Sequence, residues 1–463
     1  MKKRILWIVS ILLILSGGIT LCVVRWDAWF TNPAEPIYDV PAEPMNIVLT
    51  FGQDAASQRV VSWRAGQDTT ALSFLLLTDL QSGETDTLAA QSALVASRSG
   101  EAVFHQVHLD SLHAGEYAYQ VHTADKSSES FIFRVQDYKS CERDTFLLFG
   151  DLQYTSEDEG RLFFDLAYQT LPEADFVAYI GDIIERPTDD YWQLFFHTTD
   201  GRTATLPQVA ALGNHEYLKG VYKQFDVRWP YIFVNPQNGP ARFLGRTYFV
   251  DFPFLRLIVL DTDALQRPSD FIVLRTWLTQ VLNYESVVMN QTDDENDRWN
   301  VVLMHHPIYS AGMGRDNFFV AWALRYALLD ADLVVAGHDH NYARHRFLHE
   351  STPVYVITSS SAKSYLPKCS RIEERLGCNH AFFSAVSVSQ DTMSMTTYLV
   401  DSLTTPLPYD ELLFVRNDDG VLVTESDSLP EERLELPARY EGRNNVHTRR
   451  FINRRNARFE QQD

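Results

Sequence analysis

The sequence predicts a chain of two folded parts, an antiparallel β-sandwich followed by a layered α/β domain. Two patterns predict it. Between residues 46 and 135, short runs of β-branched and aromatic residues alternate with turn residues and show no helical period, the signature of a sandwich. From residue 144 onward the strands become fully apolar and stop at polar clusters, as expected of strands buried on both faces beneath helices. The length of 463 residues agrees, because one core rarely serves more than roughly 100–200 residues. A composition of 45% hydrophobic and 22% charged residues excludes a disordered chain. With 40 Lys and Arg against 61 Asp and Glu, the net charge is −21. That balance argues against a nucleic-acid partner, since phosphate backbones are held by basic side chains.

Residues 1–25 read as a membrane anchor or signal segment. Lys2, Lys3 and Arg4 precede residues 5–24, which carry no charge and are long enough to cross a bilayer. Ser16, Gly17 and Gly18 offer small residues for cleavage, but the apolar run continues past them, and Leu21 before Cys22 fits a lipoprotein box poorly. Trp26, Trp29 and Phe30 supply an aromatic belt. A retained anchor, with its basic end inside and the rest outside the cytoplasm, is therefore expected; cleavage would instead release a secreted protein.

Residues 26–43 form a linker whose Pro33, Glu35, Pro36, Pro41 and Glu43 predict a stiff extended spacer. The sandwich, 44–137, is expected to hold strands at 46–51, 59–64, 72–78, 104–109, 116–122 and 131–135. Its His105, His108, His113 and His122 are spread over strand and turn positions and read as structural or solvated. Gly115, Tyr117 and Tyr119 resemble the turn and alternating strand near the end of a fibronectin-type sandwich. None of the spacings of Cys22, Cys141, Cys369 and Cys378 suits a zinc ribbon. Cys369 and Cys378 could close a short loop in an oxidising compartment, and Cys141 reads as a small buried hydrophobe.

The α/β domain, 144–400, begins with the strand 145–149 before Gly150-Asp151. Strand 176–180 precedes Gly181-Asp182, 256–260 precedes Asp261, 301–304 precedes His305-His306, and 333–336 precedes Gly337-His338. A helix over 269–282 has an apolar stripe of Phe271, Leu274, Leu278 and Val281/Leu282, with Ser269 as its cap and Asp270 at its positive end. The charge run 292–298 lacks the glycine turn of a calcium loop and reads as solvated. An extension follows, 401–463, whose residues 439–463 hold seven Arg against three acids. This stretch is expected to be a poorly ordered basic tail that could dock on the acidic body.

Five strand ends present metal-ligand residue types: Asp151, Asp182, Asn214, His305, and the pair His338 and His340. Carboxylates, an amide carbonyl and imidazoles together suit Mn, Fe or Zn. One Gly-Asp is commonly a turn, and one His beside an apolar strand is commonly a core residue. Five in succession, each ending a buried strand, point to a site beyond the strand ends.

In this order Gly150-Asp151-Leu152-Gln153, Gly181-Asp182-Ile183-Ile184, Gly213-Asn214-His215-Glu216, Val302 to Pro307 with His305-His306, and Gly337-His338-Asp339-His340 closely resemble the calcineurin-like metallophosphoesterases. The fibronectin-like sandwich in front resembles the purple acid phosphatase branch, and the likeness covers roughly residues 43–400. It implies a four-layer αββα domain and two divalent metal ions. Asp151, Asp182 and His340 would hold one, and Asp182, Asn214, His305 and His338 the other, with Asp182 bridging. It further implies hydrolysis of a phosphate ester by a metal-bound hydroxide, on a phosphorylated small-molecule substrate. His215 matches the position that stabilises the transition state or protonates the leaving group, with orientation of Asn214 as its structural alternative. His306 and Arg344 are candidate substrate residues. Glu216 and Asp339 read as partners that fix imidazole tautomers, and loops at 189–196, 219–228 and 310–319 as pocket walls.

Two positions depart from the family. Where purple acid phosphatases place a tyrosine that binds ferric iron, this chain has Glu185. Where many other members place a His two residues after the first Asp, it has Gln153. Either could be an extra oxygen ligand. The altered first motif keeps a phosphodiesterase open beside the preferred phosphomonoesterase, and a non-catalytic surface-binding protein is the reading from outside the enzyme class.

Overall fold

The computed structural model describes residues 2–283, 298–347, 352–368, 373–400, 405–418, 420–426, 428–429, 431–442 and 445–459. It opens with the helix Lys2–Phe30, of which the 22 residues Val9–Phe30 are long and apolar enough to cross a membrane and are not buried in the body. The expected spacer follows without helix or strand. It lies against the body: Asn32 Nδ2 donates to the Lys219 carbonyl at 2.9 Å, and Tyr38 N donates to the Ser99 carbonyl at 2.9 Å.

All six expected sandwich strands form, with ends shifted by a few residues. Three more appear, Thr85–Ala89, Gln91–Ser97 and Lys126–Ser127. Thr85–Ala89 is almost wholly exposed, so its sequence carries no apolar alternation to betray it. One sandwich layer holds Met45–Phe51, Arg59–Arg64, Gly100–Leu109 and Gln91–Ser97, and the other is built around Ser73–Asp79 and Gly115–Thr123. Leu49, Val61, Trp63, Leu75, Tyr119, Val121 and Phe133 fill the space between them. Trp63 Nε1 donates across this core to Thr123 Oγ1 at 3.1 Å, satisfying the one polar atom of a buried indole.

The sandwich sheet does not stop at its own edge. Met45–Phe51 pairs in parallel with Gln208–Ala211, Thr50 facing Gln208. One eleven-stranded sheet therefore runs from the sandwich through Gln208–Ala211, Phe176–Ile180 and Asp144–Phe149 to Ala381–Val388, Thr392–Val400, Leu407–Asn417 and Gly420–Glu425. A second, seven-stranded sheet is centred on Leu255–Leu260, Trp299–Met304, Leu333–Ala336 and Val354–Ile357. The two pack face to face through residues such as Phe146, Leu148, Phe176, Ala178, Leu257, Val259, Val301 and Val335. The opposite faces are covered by helices. Glu157–Thr170 and Asp189–Thr199 lie against the first sheet, and Pro268–Leu282 and Phe318–Leu324 against the second. This is the four-layer arrangement that the resemblance implied; the wholly apolar strands are covered by helices on one face and by the other sheet on the second, rather than by helices on both.

Four expectations are corrected. Ser269 does not cap its helix, which starts at Pro268; Asp270 Oδ2 instead accepts from Arg267 N at 2.8 Å, closing the first turn. The stretch 189–196 is the helix Asp189–Thr199 rather than a loop. Most of the basic tail is a helix, Val446–Phe459, whose Ile452 packs beside Leu376, Cys378 and Leu434. Its Arg455 reaches Glu373 at 2.6 Å and Glu431 at 3.0 Å, the docking that its charge allowed. Cys141 is half-buried rather than buried. Cys369, and with it the Cys369–Cys378 pairing, lies outside the described residues, as do residues 292–297 of the charge run.

A buried ionic cluster joins linker, sandwich and α/β domain. Arg228 pairs with Glu35 at 2.8 Å, Asp189 at 2.8 Å and Asp226 at 2.9 Å, and all four side chains are almost wholly buried. Arg64, on a sandwich strand, also pairs with Asp189 at 2.5 Å. Removing one member of such a cluster strands the others in low dielectric. Arg228→Met is expected to destabilise the protein by about 3–5 kcal/mol, read as a lower urea midpoint with an unchanged slope; a midpoint within error of wild type would show that the cluster is not a structural joint.

Candidate metal centre

Five of the chain's apolar strands end at one place. Asp144–Phe149, Phe176–Ile180 and Gln208–Ala211 run parallel and in register, Phe149 facing Tyr179 and Ile180 facing Ala211. Just beyond their ends stand Asp151, Asp182 and Asn214. On the second sheet Trp299–Met304 and Leu333–Ala336 end together, Met304 facing Ala336, and release His305, His338 and His340. Because the sheets pack face to face, the two sets meet over the edge of the common core.

The backbone there is bent out of the ordinary regions. Asp151 (φ 35°), Gln153 (40°), Asp182 (51°), His338 (72°) and His340 (51°) are all left-handed, a conformation that non-glycine residues keep only where surrounding structure enforces it. Two glycines give room for the carboxylates: a Cβ on Gly337 would fall on Asp151 Oδ2, and one on Gly213 would fall on Asp182 Oδ1.

His305 Nε2 is at the centre, 3.2 Å from Asp182 Oδ2, 3.3 Å from Asn214 Oδ1 and 3.3 Å from His338 Nδ1. Its other ring nitrogen faces the Ile180 carbonyl at 3.1 Å. His340 Nε2 lies 3.6 Å from Asp151 Oδ1, with its Nδ1 3.3 Å from Ser361 Oγ and 3.4 Å from Ser359 Oγ. Ligand atoms of Asp151, Asp182 and His305 all fall within 4.8 Å of one another. The buried Asp151 Oδ1 makes no hydrogen bond, and its partner Oδ2 accepts from His338 N at 2.7 Å.

The electrostatics are those of a place built around positive charge. Burial pushes the Asp151 carboxyl up to about 7, with His305 opposing and Asp182 adding to the rise. Burial, reinforced by Asp182, likewise pushes Glu216 up to about 7. Burial acts upward on Asp182 too, but His305 and His215 hold it below the ordinary carboxylate range. Burial keeps His338 and His340 well below the usual imidazole value, which is the neutral form that metals bind. An orphaned carboxylate oxygen, crowded acids and neutral imidazoles from converging strands fit divalent cations of the Mn, Zn or Fe type.

The other candidates fall into three groups. His215 and His306 line a cavity of about 800 Å³ beside the cluster, together with Asn214, His338 and Glu185. His215 N donates to Asp182 Oδ1 at 2.8 Å, its Nδ1 meets the Glu185 carbonyl, and its Nε2 lies 3.9 Å from Asp182 Oδ2. It thus braces Asp182 and makes no contact with Asn214 that would orient the amide. His306 Nδ1 pairs with Thr262 Oγ1 at 3.0 Å.

Gln153 and Glu185 form the second group, since both meet a lysine that sequence reasoning missed: Lys363 Nζ is 3.3 Å from Gln153 Oε1 and 3.7 Å from Glu185 Oε2. Nothing in the Ser-rich stretch before Lys363 marks it. Arg344 forms the third group, and the cavity is not where it lies. Its side chain is 4% exposed and pairs with Asp410, Glu425 and Glu374, because alternation along Tyr342–His345 turns it into an acidic cluster away from the cavity. Three arginines do line the cavity, Arg98, Arg186 and Arg315; of these, Arg315 donates to the His338 carbonyl and lies over the Tyr365 ring at 4.1 Å.

Glu216 and Asp339 are also corrected. Neither fixes an imidazole. Glu216 accepts from the backbone N–H groups of Asp182 (2.9 Å), Ile184 (3.2 Å) and Gly213 (2.7 Å). Asp339 accepts from Ser310 Oγ and from the N–H groups of Ala311 and Gly312. Both clamp the loops that carry ligands. The walls at 189–196, 219–228 and 310–319 do contribute, through Asp190 and Tyr191, Lys219 and Lys223, and Arg315.

Residues 144–342 match the family described as calcineurin-like phosphoesterase. A phosphoenolpyruvate phosphatase of onion (Allium cepa) is 23% identical over 385 residues, 76% of this chain and 75% of that protein. Among solved structures, a purple acid phosphatase from yellow lupin (Lupinus luteus) seeds superposes with a TM-score of 0.64 at 17% identity, covering 82% of this chain and 76% of the other. The structure of PhoD gives 0.57 at 13% identity over 91% and 98%. Both share the fold.

Gly337→Ala tests the close approach at Asp151. The added methyl must displace Asp151 Oδ2, so bound metal measured by elemental analysis is expected to fall while far-ultraviolet circular dichroism stays that of wild type. Unchanged metal content would show that Asp151 is not held in place for an ion.

Proposed function

The chain carries a calcineurin-like metallophosphoesterase domain, and from that premise we propose that it is a phosphomonoesterase with a binuclear centre, anchored by its N-terminal helix and facing away from the cytoplasm. The observation that carries the proposal is the buried group of Asp151, Asp182 and His305, flanked by Asn214, His338 and His340 and opening on a cavity with His215, His306 and Arg315 in its wall. Asp151, Asp182 and His340 would hold the first ion, and Asp182, Asn214, His305 and His338 the second, with Asp182 common to both. When bound, two such cations supply Lewis acidity to the phosphoryl oxygens and acidify water at neutral pH, a nucleophile that needs no serine or cysteine.

The chain's own side chains do the rest. Asp182 is kept charged and fixed by His305, by the His215 N–H and by the Glu216 clamp on its own backbone N–H. His215 presents Nε2 toward the centre while the Glu185 carbonyl engages Nδ1. That geometry supports His215 as the proton donor for the leaving oxygen, beside the carboxylate that would be common to both ions. Arg315, pinned by the His338 carbonyl and by Tyr365, offers guanidinium N–H groups to non-bridging phosphate oxygens. A monoester is preferred because the onion relative acts as a phosphoenolpyruvate phosphatase, and enol phosphates are monoesters.

Glu185, beside Lys363, stands where purple acid phosphatases have the tyrosine that binds ferric iron. The metal-loaded protein is expected to be colourless; a visible charge-transfer band would contradict that ligand set. Chelation should abolish turnover, and Mn or Zn should restore it. An aryl phosphate monoester should be cleaved in preference to a bis-aryl diester, and a clear preference for the diester would replace this reading with a phosphodiesterase.

A further inference from the structure

The cavity beside the metal centre is lined not only by Asn214, His215, His306 and His338 but also by Asn32, Pro33, Ala34 and Pro36. These four belong to the segment that follows directly on the apolar helix, which ends at Phe30. The catalytic mouth is therefore walled by the first residues to leave the bilayer.

Further contacts hold it there. Lys219, in the same wall, donates through Nζ to the Ala28 carbonyl inside the helix at 3.1 Å, and its backbone N and carbonyl bond the Asn32 side chain at 2.8 and 2.9 Å. The body thus grips the helix end instead of hanging from a free tether. A helix rises about 1.5 Å per residue, so Trp26–Phe30 spans only roughly the depth of the headgroup layer beyond an apolar core ending near Val24. Beside the grip, Val221 is 73% and Tyr222 58% exposed, an apolar tip at the height where aromatic belts sit.

A second cleft of about 690 Å³ shares Tyr217 and Lys223 with the first, and its walls include Leu94, Val95, Phe225 and Phe243. The same cleft also carries Lys223, Arg242, Arg246 and Arg267, so apolar and cationic side chains stand together beside the metal-centre cavity.

We propose that the substrate is a phosphate monoester borne by a membrane lipid, presented to the metal centre from the bilayer that holds the anchor. Water adds to phosphorus, the bond between phosphorus and the lipid oxygen breaks, and that oxygen takes a proton. The lipid alcohol stays in the bilayer and inorganic phosphate leaves to solvent. The proposal rests on reading the helix as a retained span and the centre as a monoesterase.

The test uses the full chain, supplied with Mn, in phosphatidylcholine vesicles. Phosphatidate is placed either in the same vesicles as the enzyme or in separate ones at equal bulk concentration, and an aryl phosphate in solution reports the centre itself. Phosphatidate in the enzyme's own vesicles should be cleaved at least about tenfold faster than in separate vesicles, the advantage of a surface-confined encounter. Inserting a flexible segment of about 20 residues between Phe30 and Thr31, with a reach of roughly 25 Å, should remove most of that advantage and leave aryl phosphate hydrolysis unchanged. Equal rates in both arrangements, or aryl phosphate cleaved with phosphatidate untouched, would overturn the lipid proposal alone. Failure on both substrates would overturn the monoesterase reading, and this proposal with it.

Discussion

The structure turns on one contact, the buried pairing of Asp182 with His305 at 3.2 Å. The carboxylate leaves the end of one sheet and the imidazole leaves the end of the other. Both groups are almost wholly buried in the seam, where neither partner could be tolerated alone. Much of the unusual local structure serves that meeting: left-handed backbone at Asp151, Asp182, His338 and His340, glycine wherever a side chain would collide with a carboxylate, and Glu216 spanning three N–H groups of the loops around Asp182. Two apolar sheets packed face to face are the means of making those loops rigid.

This explains which parts could be read from the residues. A fully apolar strand that stops at Gly-Asp or His-His carries two signals at once, burial before and polar groups after, so the six residues proposed as ligands were legible as candidates. The sandwich strands were legible from alternation, apart from Thr85–Ala89, Gln91–Ser97 and Lys126–Ser127, and along the first of these nearly every side chain meets water. Contacts made between distant loops carry no such pattern. Arg344 looks like a phosphate ligand because it follows a ligand motif by four residues, yet its strand turns it toward Asp410 and Glu425. Lys363 and Arg315 reach the site from loops whose sequences are ordinary. The tail at 446–459 looks disordered because it is so basic, but two acidic partners and the buried Ile452 hold it as a helix.

Charge and position also bear on each other. A chain of net charge −21 repels phosphate esters at long range. The crowded acids of Asp151, Asp182 and Glu216 would add to that repulsion unless cations occupied their midst, while Arg315 and Lys223 in the cavity wall supply fixed positive charge. Attraction to substrate is thus a local property of the centre and its rim, and that rim includes the residues emerging from the apolar helix.

The central claim is that Asp182 is the carboxylate common to two ions, and metal stoichiometry tests it most directly. Elemental analysis of the purified chain should find two ions per molecule, and Asp182→Ala should lose both while the unfolding midpoint remains measurable, because a bridging carboxylate serves both sites. A variant that keeps one ion at full occupancy would show that Asp182 serves a single site and would contradict the account.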